Sequence, residues 1–103
     1  MLVMVVSTHS TEACPMVNPK SAEVMISAAQ RMNDTAKTLG IKILGAWNDM
    51  PAHTTFMLVD APKPEALNKM AMDLHFIDWT TSISHPVVTM EESIAILQQQ
   101  KKK

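Results

Sequence analysis

Four histidines and a single cysteine are the side chains in this sequence best suited to ligate a transition metal or to exchange a proton near neutral pH. His9 and Cys14 share one stretch, Ser7-Thr8-His9-Ser10-Thr11-Glu12-Ala13-Cys14-Pro15-Met16-Val17-Asn18-Pro19. Imidazole nitrogen and thiolate sulfur are zinc donors, and they suit iron when carboxylates or water complete the shell. The candidate metal ligands are therefore His9, Cys14, His53 and His75, with Glu12 and Asp49 as the nearest carboxylates. No paired cysteines at fixed spacing mark the site, so its chemistry depends on the fold bringing separate elements together.

Each residue also has a plainer use. A histidine at a strand end commonly serves as a hydrogen-bonded, half-exposed surface group. Cys14 reads either as a small buried hydrophobe ahead of a proline turn or as a thiolate activated by the helix starting at Pro19, with His9 as base. The glycines are Gly40 and Gly45 alone, which excludes a glycine-rich phosphate loop.

The elements that must position these groups follow from pattern. Residues 2–7 are apolar at nearly every position, as in a strand covered on both faces. Asn18 is a good N-cap, Pro19 suits the first helical position, and Gly40 suits a left-handed C-cap. Between them Met25, Ala29, Met32, Ala36 and Leu39 recur at helical spacing. Residues 41–47 and 53–59 read as a hairpin joined by the turn chemistry of Asn48-Asp49-Met50-Pro51-Ala52. A second helix opens near Pro64 and buries Leu67, Met70, Ala71 and Leu74. Residues 76–83 alternate, with Ile77, Trp79, Thr81 and Ile83 on one face, which predicts an edge strand. Thr89-Met90-Glu91-Glu92 has capping-box spacing and opens a terminal helix, whose consecutive Ile94, Ala95, Ile96 and Leu97 predict packing on more than one side.

This order, βαββαβ and then a helix, predicts an α+β, ferredoxin-like domain over residues 1–100 with a four-stranded antiparallel sheet in spatial order 4-1-3-2. The end of the first strand then lies beside the starts of the third and fourth. His9, His53 and His75 should meet there with the Cys14 loop, while His85 falls at the opposite end. Two helices cover one sheet face only; a second copy is the simplest cover for the other, which predicts a homodimer.

Composition narrows the function classes. Hydrophobic residues make up 47% of the 103, enough for one globular core. Without the lysine tail of residues 101–103, expected to be disordered, six basic residues face ten acidic ones. With a single arginine and no aromatic-basic interleaving, that balance argues against nucleic-acid binding. No apolar run approaches the roughly 20 residues that span a membrane. The lone cysteine and the absence of a leader pattern predict a cytoplasmic protein. The ten methionines never cluster in a short spaced motif, so Met25, Met32, Met57, Met70 and Met72 read as core fillers rather than copper ligands. Trp47 and Phe56 read as core or dimer contacts, or as lining for a small apolar ligand between sheet and helices.

Thr8-His9-Ser10 with Cys14-Pro15, Leu39-Gly40-Ile41-Lys42-Ile43-Leu44-Gly45-Ala46, and Pro51-Ala52-His53-Thr54-Thr55 resemble a family of small uncharacterised proteins similar to the dimeric α+β barrel superfamily. The resemblance spans residues 1–97 and implies the fold and the homodimer. Superfamily relatives include haem-degrading monooxygenases, muconolactone isomerases and iron-dependent sulfur oxygenases, so it implies no single chemistry. Three functions follow as expectations: a metal- or small-ligand-binding homodimer with its site at His9, Cys14 and His53; a cofactor-independent monooxygenase or isomerase using His9 or His53 as general base; and a non-catalytic subunit that docks a partner on its apolar sheet face.

Overall fold

The computed structural model describes residues 1–102. Its central strand, β1 (Leu2–Thr8), pairs antiparallel with both β3 (Thr54–Asp60) and β4 (Thr81–Pro86), and β3 also pairs with β2 (Lys42–Asp49). The sheet order is therefore β2-β3-β1-β4, the order expected from the sequence. Alternation sends Val3, Met57 and Val59 to one face, where Val3 is 1% and Val59 0% exposed.

That face is covered by α1 (Pro19–Thr38) and α2 (Pro64–Asp73). The stripe that α1 buries runs through Ser21, Ala28 and Ala36, with Met32 packed beside it. Small alanines let the helix backbone approach the sheet, so the contact line is shifted from the expected one: Ala29 is exposed and Met25 only half-buried. From α2, Ala66, Leu67 and Met70 enter the same core, closed by fully buried Leu74. Burying a leucine completely stabilises by about 1.5–3 kcal/mol, so these few residues hold the helices down. Met57 and Met70 fill the core as expected, whereas Met72 is exposed.

Local chemistry fixes the ends of α1. The Asn18 side-chain oxygen accepts from the backbone N–H of Lys20 at 3.0 Å and of Ser21 at 3.1 Å. Gly40 takes φ +73°, and the Ile41 N–H returns to the Ala36 carbonyl at 2.8 Å, which stops the helix and turns the chain into β2.

Several expectations need correction. The fourth strand is shorter and later than residues 76–83: Phe76–Asp78 is one turn of 3-10 helix, and pairing begins only at Thr81 opposite Thr8. His75 enters that turn at φ +60°, and the Phe76 carbonyl accepts both the Thr80 N–H at 3.0 Å and the Thr80 hydroxyl at 2.6 Å. Those bonds use backbone groups a ladder would need, so the alternating pattern mimicked a strand. In consequence His85 lies within β4, opposite Met4, and does not follow it.

His53 likewise precedes β3, in a turn at φ +53°. The terminal helix α3 (Met90–Lys101) is capped as expected, Thr89 accepting from the Glu92 N–H at 3.0 Å. It does not bury its apolar run: Ile94, Ile96 and Leu97 are 46%, 53% and 62% exposed. Consecutive positions on a helix point roughly 100° apart, so four apolar neighbours wrap the surface instead of forming a stripe. Of the lysine tail expected to be disordered, Lys101 ends α3 and Lys102 caps it; Lys103 lies outside the described residues.

The other sheet face carries Met4, Val6, Phe56 and Leu58, flanked by Trp47 and Ile83, which are 57% and 59% exposed. The Trp47 ring lies over Gly45, where it leaves no room for a Cβ. No helix among the described residues is long and apolar enough to cross a membrane.

Candidate metal centre

Beyond the last β1–β3 pair, Thr8 with Thr54, the ladder continues by one bond: the His9 N–H donates to the His53 carbonyl at 3.2 Å. The two imidazoles therefore leave adjacent backbone positions on neighbouring strands. Their ring centroids are 5.2 Å apart and nearly perpendicular, at 75°. His53 is held by its own N–H, which donates to the Met50 carbonyl at 3.2 Å, and by the left-handed backbone that closes this turn. For a side chain with a Cβ that conformation costs roughly 1–2 kcal/mol, a cost the surrounding turn sustains.

The third element is the loop after β1. The Cys14 N–H donates to the Thr11 carbonyl at 3.3 Å, and the Cys14 carbonyl accepts from Val17 at 3.0 Å and Asn18 at 2.8 Å. Asn18 also donates through its side chain to the Glu12 carbonyl at 3.1 Å, tying the loop to the helix it caps. Cys14 is thereby turned inward and is 7% exposed.

Together these constraints bring one donor atom each from His9, Cys14 and His53 within 4.8 Å of one another. Metal bonds of ~2.0–2.3 Å put tetrahedral donors roughly 3.3–3.6 Å apart, so at that upper limit side-chain rotations of about 1 Å would close the set on an ion. His9 Nε2 and His53 Nδ1 are buried and have no hydrogen-bond partner among the described residues. Leaving such a group unpaired costs about 1–3 kcal/mol, and a metal ion is one partner that an imidazole nitrogen accepts. Burial, and then the neighbouring His53 charge, lower the His9 pKa below its usual value, which keeps its nitrogen lone pair free. The arrangement can hold a metal ion; without one, it sets a thiol beside two bases.

The other expected residues are placed differently. His75 lies outside the cluster, with its Nδ1 3.2 Å from the Asp78 carboxylate in an exposed pair. Asp49 borders the cavity beside Cys14, and its carboxylate accepts the Ala52 N–H at 3.3 Å. Glu12 enters the site only through its carbonyl, which holds Asn18. Trp47 shares a sheet face with its ladder partner Phe56, yet from the edge strand β2 it also borders the larger groove between sheet and helices, which Phe56 does not line.

Trp79 was assigned by pattern to a strand, but the 3-10 turn carries its ring to 5.4 Å from that of His9, with its indole nitrogen buried and unpartnered. Nothing in its spacing marks it, because its position follows from the Phe76–Thr80 turn. It stands between two cavities, one of about 100 Å³ beside His9 and Cys14 and one of about 490 Å³ between sheet and helices. Met25, Asn48, Thr55 and Trp79 line both, so the donor cluster adjoins an apolar groove.

No curated protein matches this chain. Residues 1–101, which run from β1 into the last residue of α3 and include all three donors, match DUF3303, a domain of unknown function, and the chain belongs to that family.

Proposed function

We propose that the protein binds a transition metal through His9, Cys14 and His53 and acts as a homodimer of ferredoxin-like subunits. The observation carrying this is the convergence of three donors from three separate segments within 4.8 Å; both histidines among them also carry a buried nitrogen with no hydrogen-bond partner among the described residues. Zinc and iron both accept such donors, and three protein ligands leave a position for water or substrate. Elemental analysis of protein purified without chelator should find about one metal ion per chain, lost in the His9→Ala, His53→Ala double variant. Equally metal-free preparations would overturn it. The second copy has its support in the apolar face formed by Met4, Val6, Phe56 and Leu58, which lies opposite the face that α1 and α2 cover.

A second reading is favoured by the groove of about 490 Å³ that adjoins the donors. It has the volume and apolar walls of a small-molecule site, where His9 or His53 would act as general base on an apolar substrate in a monooxygenase- or isomerase-type reaction. Turnover that chelators leave unchanged would favour it over the metal reading.

A further inference from the structure

We infer that the ion selected by this site is copper, held by the Met25 thioether as fourth donor beside His9, Cys14 and His53. The inference rests on the three side chains being ligands and names the ion they take.

Scattered in sequence, the methionines carry no motif, yet folding gathers Met16, Met25 and Met50 around the cavity of about 100 Å³ that His9 and Cys14 also line. They arrive from the loop, from α1 and from the turn after β2. Thioether sulfur is a poor partner for zinc and a good one for copper, and two imidazoles, a thiolate and a weaker thioether form a copper donor set. Core packing explains Met57 and Met70, which are 8% and 5% exposed, but not three methionines bordering one small cavity beside a thiol.

Met25 is the one of the three whose position suits a ligand. Met16 and Met50 are 70% and 54% exposed, whereas Met25 is half-buried on α1, between the small cavity and the groove. The hard donor at this cavity, the Asp49 carboxylate, accepts the Ala52 N–H at 3.3 Å, and the thiol that a soft ion needs is 7% exposed.

The test equilibrates reduced, metal-free protein with Cu(I) against a chromophoric Cu(I) chelator, and separately with Zn(II), in the wild type, Met25→Leu and a Met16→Leu, Met50→Leu double variant. Methionine-to-leucine changes nearly conserve volume, and circular dichroism checks that each variant is folded. Cu(I) should bind one per chain and more tightly than Zn(II). Met25→Leu should weaken Cu(I) roughly ten- to hundredfold, the scale on which supporting groups tune metal affinity, and leave Zn(II) unchanged. Copper X-ray absorption should show a second sulfur scatterer that Met25→Leu removes. An unchanged Cu(I) affinity in Met25→Leu, or a loss found instead in the double variant, overturns the assignment of Met25. Zn(II) bound as tightly as Cu(I) overturns copper and leaves the metal reading standing; no binding of either ion overturns both.

Discussion

The two faces of the sheet are built from the same kinds of residue and meet different fates. On one, Val3, Met57 and Val59 disappear beneath α1 and α2. On the other, Met4, Val6, Phe56 and Leu58 lie on the side away from α1 and α2, and Ile83 and Trp47 stand more than half exposed. Apolar character alone therefore does not make a core. α1 and α2 supply one layer of cover, and that layer serves one face of the sheet.

Identical substitutions on β1 can break this comparison. Val3→Asp places a carboxylate where exposure is 1%, with no cation beside it in the core cluster. We expect a loss of roughly 4 kcal/mol or more, a large share of the 5–15 kcal/mol that holds typical domains together; urea unfolding measures it. Val6→Asp, one pleat along on the opposite face, should leave the subunit folded within about 1 kcal/mol but convert a dimer to a monomer in sedimentation. A Val6→Asp chain that sediments as the wild type does would remove this face from the interface.

The smallest effect concerns pH and belongs to the metal-free chain. His9 has its pKa lowered in the fold, by burial first and by His53 second. As pH falls, the unfolded chain takes up a proton at the usual value near ~6.5 before the folded chain does. His9 thus costs nothing above that value and destabilises increasingly below it, so stability should decline as pH drops from about 7.5 to 5.5. Thermal unfolding in chelator, with His9→Gln as reference, isolates the contribution; equal slopes in the two proteins would contradict it.

Much of the fold was legible because its signals are local. Asn18 and Gly40 announce the ends of α1 through chemistry that involves only nearby backbone, and they do so in the structure. The strand order followed from element order, and with it the meeting of His9 and His53, since ladder neighbours are fixed once the topology is. What failed depends on competition between local and long-range bonds. Ile77, Trp79 and Ile83 alternate as a strand would, but the Phe76 carbonyl captures Thr80 first, which moves Trp79 beside His9 and leaves His75 with Asp78. The meeting of Met16, Met25 and Met50 at one cavity was illegible for another reason: residues brought together from a loop, a helix and a turn have no common spacing to read.

The bond from the His9 N–H to the His53 carbonyl makes the donor cluster mechanically unequal. Two imidazoles ride on the sheet and form a fixed jaw, whose opening is set by the ladder. Cys14 is held instead by turns within its own loop, which the Asn18 side chain ties through the Glu12 carbonyl to the helix it caps. If the proposed ion binds, any shift of Cys14 toward it would pull on the first turn of α1, while the histidines stay tied to the sheet.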